Sequence, residues 1–127
     1  MSDDTSGILW VKAVHDYNAA ERLLDEDPEI VGDQVFGLLL QQSVEKAIKS
    51  ILWKERLGYG RIHDVSLLLD RLSGVIDIPP RFDRLRGLTM YASIERYESP
   101  LSSHRLDRRG ILDLVTEFLG LLDREIR

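Results

Sequence analysis

The segment that begins between Glu29 and Asp33 and runs to about Leu57 constrains the fold more than any other part of the chain. Apolar residues recur in it at the three- and four-residue steps of a helix. Three consecutive leucines at 38–40 and Trp53 spread these residues over more than one stripe, so the helix must be covered on several sides. The sequence therefore predicts a long central helix that packs between other helices and ends at the glycine-flanked residues 58–60.

Four other segments share the helical period, and breaks at Pro28, residues 73–74 and residues 79–80 separate them. They cover residues 8–25, 62–73 and 81–93 and the chain from residue 106 or 107 onward. Helical pieces with short connections predict an all-α fold, an antiparallel up-and-down bundle of four long helices and one short helix. The length of 127 residues suits one domain over 1–127, with residues 1–7 expected to be disordered.

Composition excludes several classes of function. The chain has no cysteine, so disulfides, thiolate metal sites and cysteine nucleophiles are ruled out. Its N-terminus lacks the layout of a secretion signal, and no apolar run approaches the roughly 20 residues of a membrane span. We therefore expect a cytoplasmic protein without a membrane partner. The net charge of −5 is concentrated near the N-terminus, while the remainder is rich in arginine and leaves room for a local basic pocket.

A polar stripe lies within the predicted central helix. At about 100° per residue, Gln42, Glu45, Lys46 and Lys49 project to one side and the apolar residues to the other. Two interpretations stay open. Glu45 precedes Lys49 by four residues in the favourable order, which is typical of a solvated helix face. The same stripe would also serve as a surface for a ligand or a protein partner.

His63 and Asp64 lie where the short third helix begins. A carboxylate at this place is favoured by the unpaired amides of the first turn, so helix capping is one interpretation of Asp64. A metal or hydrolase site is the other, but no second histidine-carboxylate set occurs at ligand spacing. The sequence therefore predicts no metal and no cofactor.

Three landmarks occur in order along the chain: the run Gln-Gln-Ser-Val-Glu-Lys-Ala-Ile-Lys at 41–49, His-Asp-Val at 63–65 and Arg96-Tyr97, with Trp10, Ala13 and Asp16 upstream. Together they resemble the HEPN domain family. Family members carry Gln-Gln-x-x-Glu-Lys-x-x-Lys, His-Asp-Leu and Arg-Tyr-Pro. The resemblance covers nearly the whole chain, although Val65 replaces the usual leucine and a proline follows Arg96-Tyr97 only at Pro100.

The resemblance implies a small helical bundle, often a homodimer, that is commonly encoded beside a minimal nucleotidyltransferase and binds nucleotides such as ATP or GTP, or RNA. Lys46 and Lys49 would contact phosphates, Arg96 would add charge and Tyr97 would stack on a base. The ligand-binding residues that the resemblance implies are Gln42, Glu45, Lys46, Lys49, His63, Asp64, Arg96 and Tyr97.

One branch of the family consists of metal-independent ribonuclease toxins, marked by an arginine and a histidine a few residues apart. Seven residues separate Arg96 from His104, more than that branch has, and both are kept as candidate catalytic residues. Six residues separate Arg56 from His63, but across a predicted loop, so we interpret that spacing as coincidence. The leading hypothesis is a binding module for nucleotides or nucleic acid; a protein-interaction module without a ligand and a ribonuclease toxin are the alternatives.

Overall fold

The computed structural model describes residues 4–92 and 105–126, and every regular element in them is a helix. The α-helices are α1 (Thr5–Arg22), α2 (Asp33–Lys54), α3 (Val65–Leu72) and α4 (Arg108–Ile126), and a 3₁₀ helix covers Pro80–Ala92. The predicted all-α bundle is therefore confirmed. Helix α1 begins at Thr5 rather than Ile8, so residues 5–7 are helical where disorder was expected.

The fourth long helix differs from the prediction, because its 13 residues form a 3₁₀ helix. Its buried side chains Phe82, Leu85 and Leu88 recur at a strict spacing of three. A 3₁₀ helix has three residues per turn, so this spacing aligns all three on one edge. The same spacing is also compatible with an α-helix, which explains why the sequence pattern alone did not distinguish the two.

Helix α2 is the centre of the bundle, as its apolar pattern predicted. Thirteen of its 22 residues are buried. Helix α1 runs antiparallel to it, since Ser6 hydrogen bonds with Ser50 at one end and Ser43 Oγ donates to the Ala13 carbonyl further along, at 2.7 Å. Helix α4 runs parallel to α2, with Lys54 Nζ donating to the Glu125 carbonyl where both helices end. These directions are those of an up-and-down bundle.

A buried arginine fixes the start of α4 against the start of α2. Arg108, 7% exposed, donates from Nε to Asp33 Oδ1 at 2.7 Å and from Nη1 to the Leu23 carbonyl at 2.9 Å. Its other terminal nitrogen donates to the Val31 carbonyl, and its guanidinium lies 5.2 Å from the centre of the Phe36 ring. All these partners belong to the protein interior or to the α1–α2 connection, so Arg108 joins three segments of the chain.

The 3₁₀ helix is held by one close approach and one arginine. A Cβ added to Gly37 of α2 would lie 2.5 Å from Cγ of Tyr91, so only glycine admits that ring. Arg86 donates to Ser66 Oγ at 2.7 Å and pairs with Asp70 at 2.9 Å, and the hydrogen bond to Asp70 raises the pKa of the guanidinium.

In the part of the chain described, no helix combines the length and apolar content that crossing a membrane requires.

Candidate functional site

The polar residues of α2 do not form the single exposed stripe that helical geometry suggested. Gln42 and Lys46 are partly buried, and Glu45 and Lys49 are buried, at 7% and 8% exposure. The reason is that α2 is covered on several sides, so each part of the stripe meets a different neighbour. One part faces α1, and the other faces the connection between α2 and α3.

On the α1 side, Lys46 forms an ion pair with Asp16. Lys46 Nζ lies 2.6 Å from Asp16 Oδ2, and the two side chains are 30% and 19% exposed. The ammonium charge is therefore largely neutralised within the protein. A phosphate could bind Lys46 only in competition with the Asp16 carboxylate.

On the other side, Glu45 is the centre of a polar network that we call the Glu45 network: Gln41, Glu45, Lys49 and His63. Oε1 of Glu45 accepts a hydrogen bond from Lys49 Nζ at 3.1 Å and lies 2.6 Å from His63 Nδ1. Gln41 Nε2 donates to Oε2 of the same carboxylate at 3.3 Å and to the His63 carbonyl at 3.4 Å. Both oxygens of a buried carboxylate are thus satisfied from three sides.

The Glu45 network reaches solvent through its histidine. The side chain of His63 is 72% exposed, whereas that of Glu45 is 9% exposed. A carboxylate accepts hydrogen bonds, so Nδ1 of His63 bears the hydrogen and Nε2 is turned away from the carboxylate. A buried acid therefore sets both the orientation and the tautomer of an exposed imidazole.

Local sequence explains how these groups meet. Gln41, Glu45 and Lys49 follow one another at four-residue steps, which places them on one ridge of α2. His63 is brought to that ridge by the fixed start of α3, where Asp64 Oδ1 accepts from the amides of Ser66 at 2.8 Å and Leu67 at 3.3 Å. The capping interpretation of Asp64 is confirmed. A ligand-binding role for Asp64 stays a prediction.

Two aromatic residues that were not predicted as site residues lie next to the Glu45 network. The Tyr59 ring lies under Lys49, with Nζ 5.2 Å from its centre. Trp53 lies beside Tyr59, with ring centres 6.2 Å apart and planes tilted by 52°. Gln41 was also missed as a site residue, and its signal was the four-residue step to Glu45. No comparable signal identifies Tyr59, because the connection that places it has no period.

Three of the predicted site residues, Arg96, Tyr97 and His104, lie outside the described residues. Among residues 4–92 and 105–126, no three histidine or acidic side chains come together as a metal site would require. A separate pocket of about 360 Å³ lies between the 3₁₀ helix and α4 and shares no residue with the Glu45 network; Pro80, Arg81, Arg84, Gly110, Asp113, Leu114 and Glu117 line it.

Comparison with models of protein families gives a match to the HEPN domain over residues 7–125. The match covers nearly the whole chain, and the chain therefore belongs to the HEPN domain family. Membership confirms the family that the sequence resembles and places the protein among helical modules with functions related to nucleotides or nucleic acids. Comparisons with curated proteins and with solved structures gave no significant match.

Proposed function

We propose that this HEPN domain binds a nucleotide or nucleic acid through the surface at which His63 emerges. One observation carries the proposal: the buried Glu45 carboxylate holds the exposed imidazole of His63 at 2.6 Å. Enclosing an ionised carboxylate in a helical core costs free energy unless its partners compensate. A fold that aims such a carboxylate at a surface histidine fixes the position of a group that contacts ligands.

His63 suits a phosphate or the edge of a base. Its Nε2 accepts a hydrogen bond when the ring is neutral and donates one when the ring is protonated, so it can contact either kind of group. The fixed Nδ1 contact removes most of the rotational freedom that a free surface side chain would lose on binding. A ligand contact at His63 is therefore favoured over one at a freely rotating side chain.

The lysines have a supporting role in this proposal. Lys46 and Lys49 were the predicted phosphate contacts, but each ammonium lies against a carboxylate, of Asp16 and Glu45 respectively. Lys49 holds the carboxylate that orients His63, whereas Lys46 pairs with Asp16 on the α1 side of the helix. Gln42, Arg96 and Tyr97 stay predicted ligand residues that the proposal does not require.

Binding is tested by fluorescence anisotropy with a labelled single-stranded RNA of about ten nucleotides, alongside calorimetric titration with ATP and GTP. We expect saturable binding of at least one ligand and a loss of about tenfold in affinity for His63→Ala, the weight of one good hydrogen bond to a charged group. His15→Ala is the matched control, because His15 is an exposed histidine on the outer side of α1. Equal affinity of wild type and His63→Ala would refute the site.

The proposal extends to assembly. HEPN domains commonly form dimers, and we propose a homodimer that works with a nucleotidyltransferase partner, as toxin-antitoxin pairs of the family do. Sedimentation equilibrium of the purified protein is expected to give the mass of two chains. A monomer at all concentrations tested would remove the dimer from the proposal and leave the His63 site unaffected.

A further inference from the structure

We propose that the last turn of α2 and the α2–α3 connection form a stacking platform for the unpaired bases of a single-stranded nucleic acid, with Trp53 and Tyr59 as its two faces. This inference rests on the proposed function and gives its ligand class and a second contact region. Nucleic acid without a partner strand exposes base faces that stack on aromatic side chains, each worth about 1–3 kcal/mol. A duplex hides those faces.

A large aromatic residue is exposed at the end of α2: Trp53 is 41% exposed. The Tyr59 ring, partly buried, stands at 52° to the indole with 6.2 Å between ring centres. The indole therefore presents aromatic surface to solvent, with the Tyr59 ring directly beside it, and a base can stack there.

Hydrogen bonds hold the α2–α3 connection, and with it the platform, in place. The Gly58 carbonyl accepts from Arg71 Nη1, and the amide of Leu57 donates to the Leu52 carbonyl at 2.8 Å. The amide of Ile62 donates to the Tyr59 carbonyl at 3.2 Å and closes the following turn. An ordered aromatic residue loses less conformational freedom on binding than one on a mobile loop.

One side chain links the platform to His63. Lys49 touches both, since its ammonium lies 5.2 Å from the centre of the Tyr59 ring and 3.1 Å from Glu45 Oε1. The same carboxylate oxygen holds His63. A base on the rings and a phosphate at His63 would therefore be bound by one connected set of side chains.

Positively charged side chains flank the platform. Arg56 and Arg61 are exposed on either side of Tyr59 in the connection. The acids of the same segment are Glu55, which is exposed, and Asp64, whose Oδ1 caps α3. Cations beside aromatic faces are the combination that single-stranded nucleic acids require, because the backbone is neutralised while the bases stack. A protein partner would favour the aromatic surface without needing the two arginines.

The test compares three ligands of about ten residues on the wild-type protein: a single strand, a backbone of the same length without bases, and a duplex. Each is supplied in RNA and DNA form, and the tighter of the two identifies the source of the single strand. We expect the single strand to bind at least about tenfold more tightly than the base-free backbone, the weight of one stacked base. Equal affinity for both would overturn the platform.

Substitutions at the two aromatic residues test whether these side chains stack on the bases. Tyr59→Ala and Trp53→Ala are each expected to lower affinity for the single strand about tenfold and to leave affinity for the base-free backbone unchanged. Tyr59→Phe keeps the ring and should keep the affinity, and Leu57→Ala is the matched apolar control. In a Trp10→Phe background Trp53 becomes the only tryptophan, and its fluorescence should be quenched by the single strand but not by the base-free backbone.

The possible outcomes distinguish a failure of the stacking platform from a failure of the proposed binding function. If a single strand binds, but no more tightly than the base-free backbone and with no change in Trp53 fluorescence, the platform is wrong and the His63 site stands. If no nucleic acid and no nucleotide binds, the proposed function itself fails. If either alanine variant does not fold, the comparison of ligands on the wild-type protein decides.

Discussion

Two buried charges, Arg108 and Glu45, have the same exposure of 7% and opposite consequences. Arg108 bonds to Asp33 at the start of α2 and to main-chain carbonyls of the α1–α2 connection, so its partners hold segments of the chain against one another. Glu45 bonds to Lys49 inside the bundle but also to His63, whose side chain is 72% exposed. The first network ends inside the protein, and the second ends at its surface.

This difference indicates that Arg108 serves the packing of the helices and that Glu45 serves a binding site. A buried charge is tolerated when its partners compensate for the lost hydration. Where all partners are internal, the result is a fixed arrangement of helices. Where one partner is exposed, the buried charge instead fixes the position of a group that a ligand can reach. Changes at Arg108 should therefore affect stability alone, and changes in the Glu45 network should affect binding.

The largest effect is expected at Arg108. Arg108→Ala leaves Asp33 and several carbonyls without their donor, and breaking such a buried pair costs about 3–5 kcal/mol. Urea unfolding should show this loss, while the folded protein keeps its affinity for nucleic acid. Arg109→Ala is the matched control, because its side chain is 66% exposed and its contact with Asp113 is 4.0 Å long. A stable Arg108→Ala protein with weakened binding would reverse the comparison.

A smaller loss of stability is expected for Glu45→Met, which keeps the length of the side chain and removes both oxygens. The Lys49 ammonium loses its carboxylate, at about 2 kcal/mol, less than at Arg108 because the lysine stem can carry the charge towards water. Affinity should fall as well, since His63 loses its orienting partner. Unfolding and anisotropy measured on the same samples check both parts; a stability loss with unchanged affinity would make Glu45 purely structural.

The Lys46–Asp16 pair is half-buried, so its loss should cost less stability than the loss of Glu45 and more than the loss of an exposed ion pair. Lys46→Met is expected to cost about 1 kcal/mol of stability and to reduce affinity about threefold, because the Asp16 carboxylate then loses the cation that neutralises it. A loss of affinity larger than that of His63→Ala would restore Lys46 as the principal phosphate contact. The two variants should be titrated at the same salt concentration.

The smallest effect is expected at Arg81, whose pair with Glu117 joins side chains that are 58% and 53% exposed. Arg81→Ala should change the free energy of unfolding by less than about 0.5 kcal/mol, because exposed ion pairs are compensated by water. Affinity should be unchanged. A larger effect on binding would assign function to the pocket between the 3₁₀ helix and α4.

Sequence alone predicted the helical segments and the central place of α2, because apolar periodicity reports burial directly. It also predicted the cap at Asp64, since capping depends on neighbours in the chain. The 3₁₀ geometry of Pro80–Ala92 was not predictable, because a three-residue spacing suits two helix types.

The site was predicted in part. The steps from Gln41 to Lys49 place these residues on one ridge, but which neighbour covers the ridge depends on contacts between distant segments. Asp16 meets Lys46 across 30 positions, and His63 meets Glu45 across 18. Neither contact follows from spacing along the chain. The predicted stripe is therefore divided in the structure between an ion pair with Asp16 and the Glu45 network.

The most direct test of the account is a double-mutant cycle between Glu45 and His63, with affinity for single-stranded nucleic acid as the measured quantity. If Glu45 acts by orienting His63, Glu45→Met should weaken binding in the wild-type background and have no further effect in the His63→Ala background. If Glu45→Met weakens binding by the same factor in both backgrounds, Glu45 does not act through His63, and the central claim is wrong.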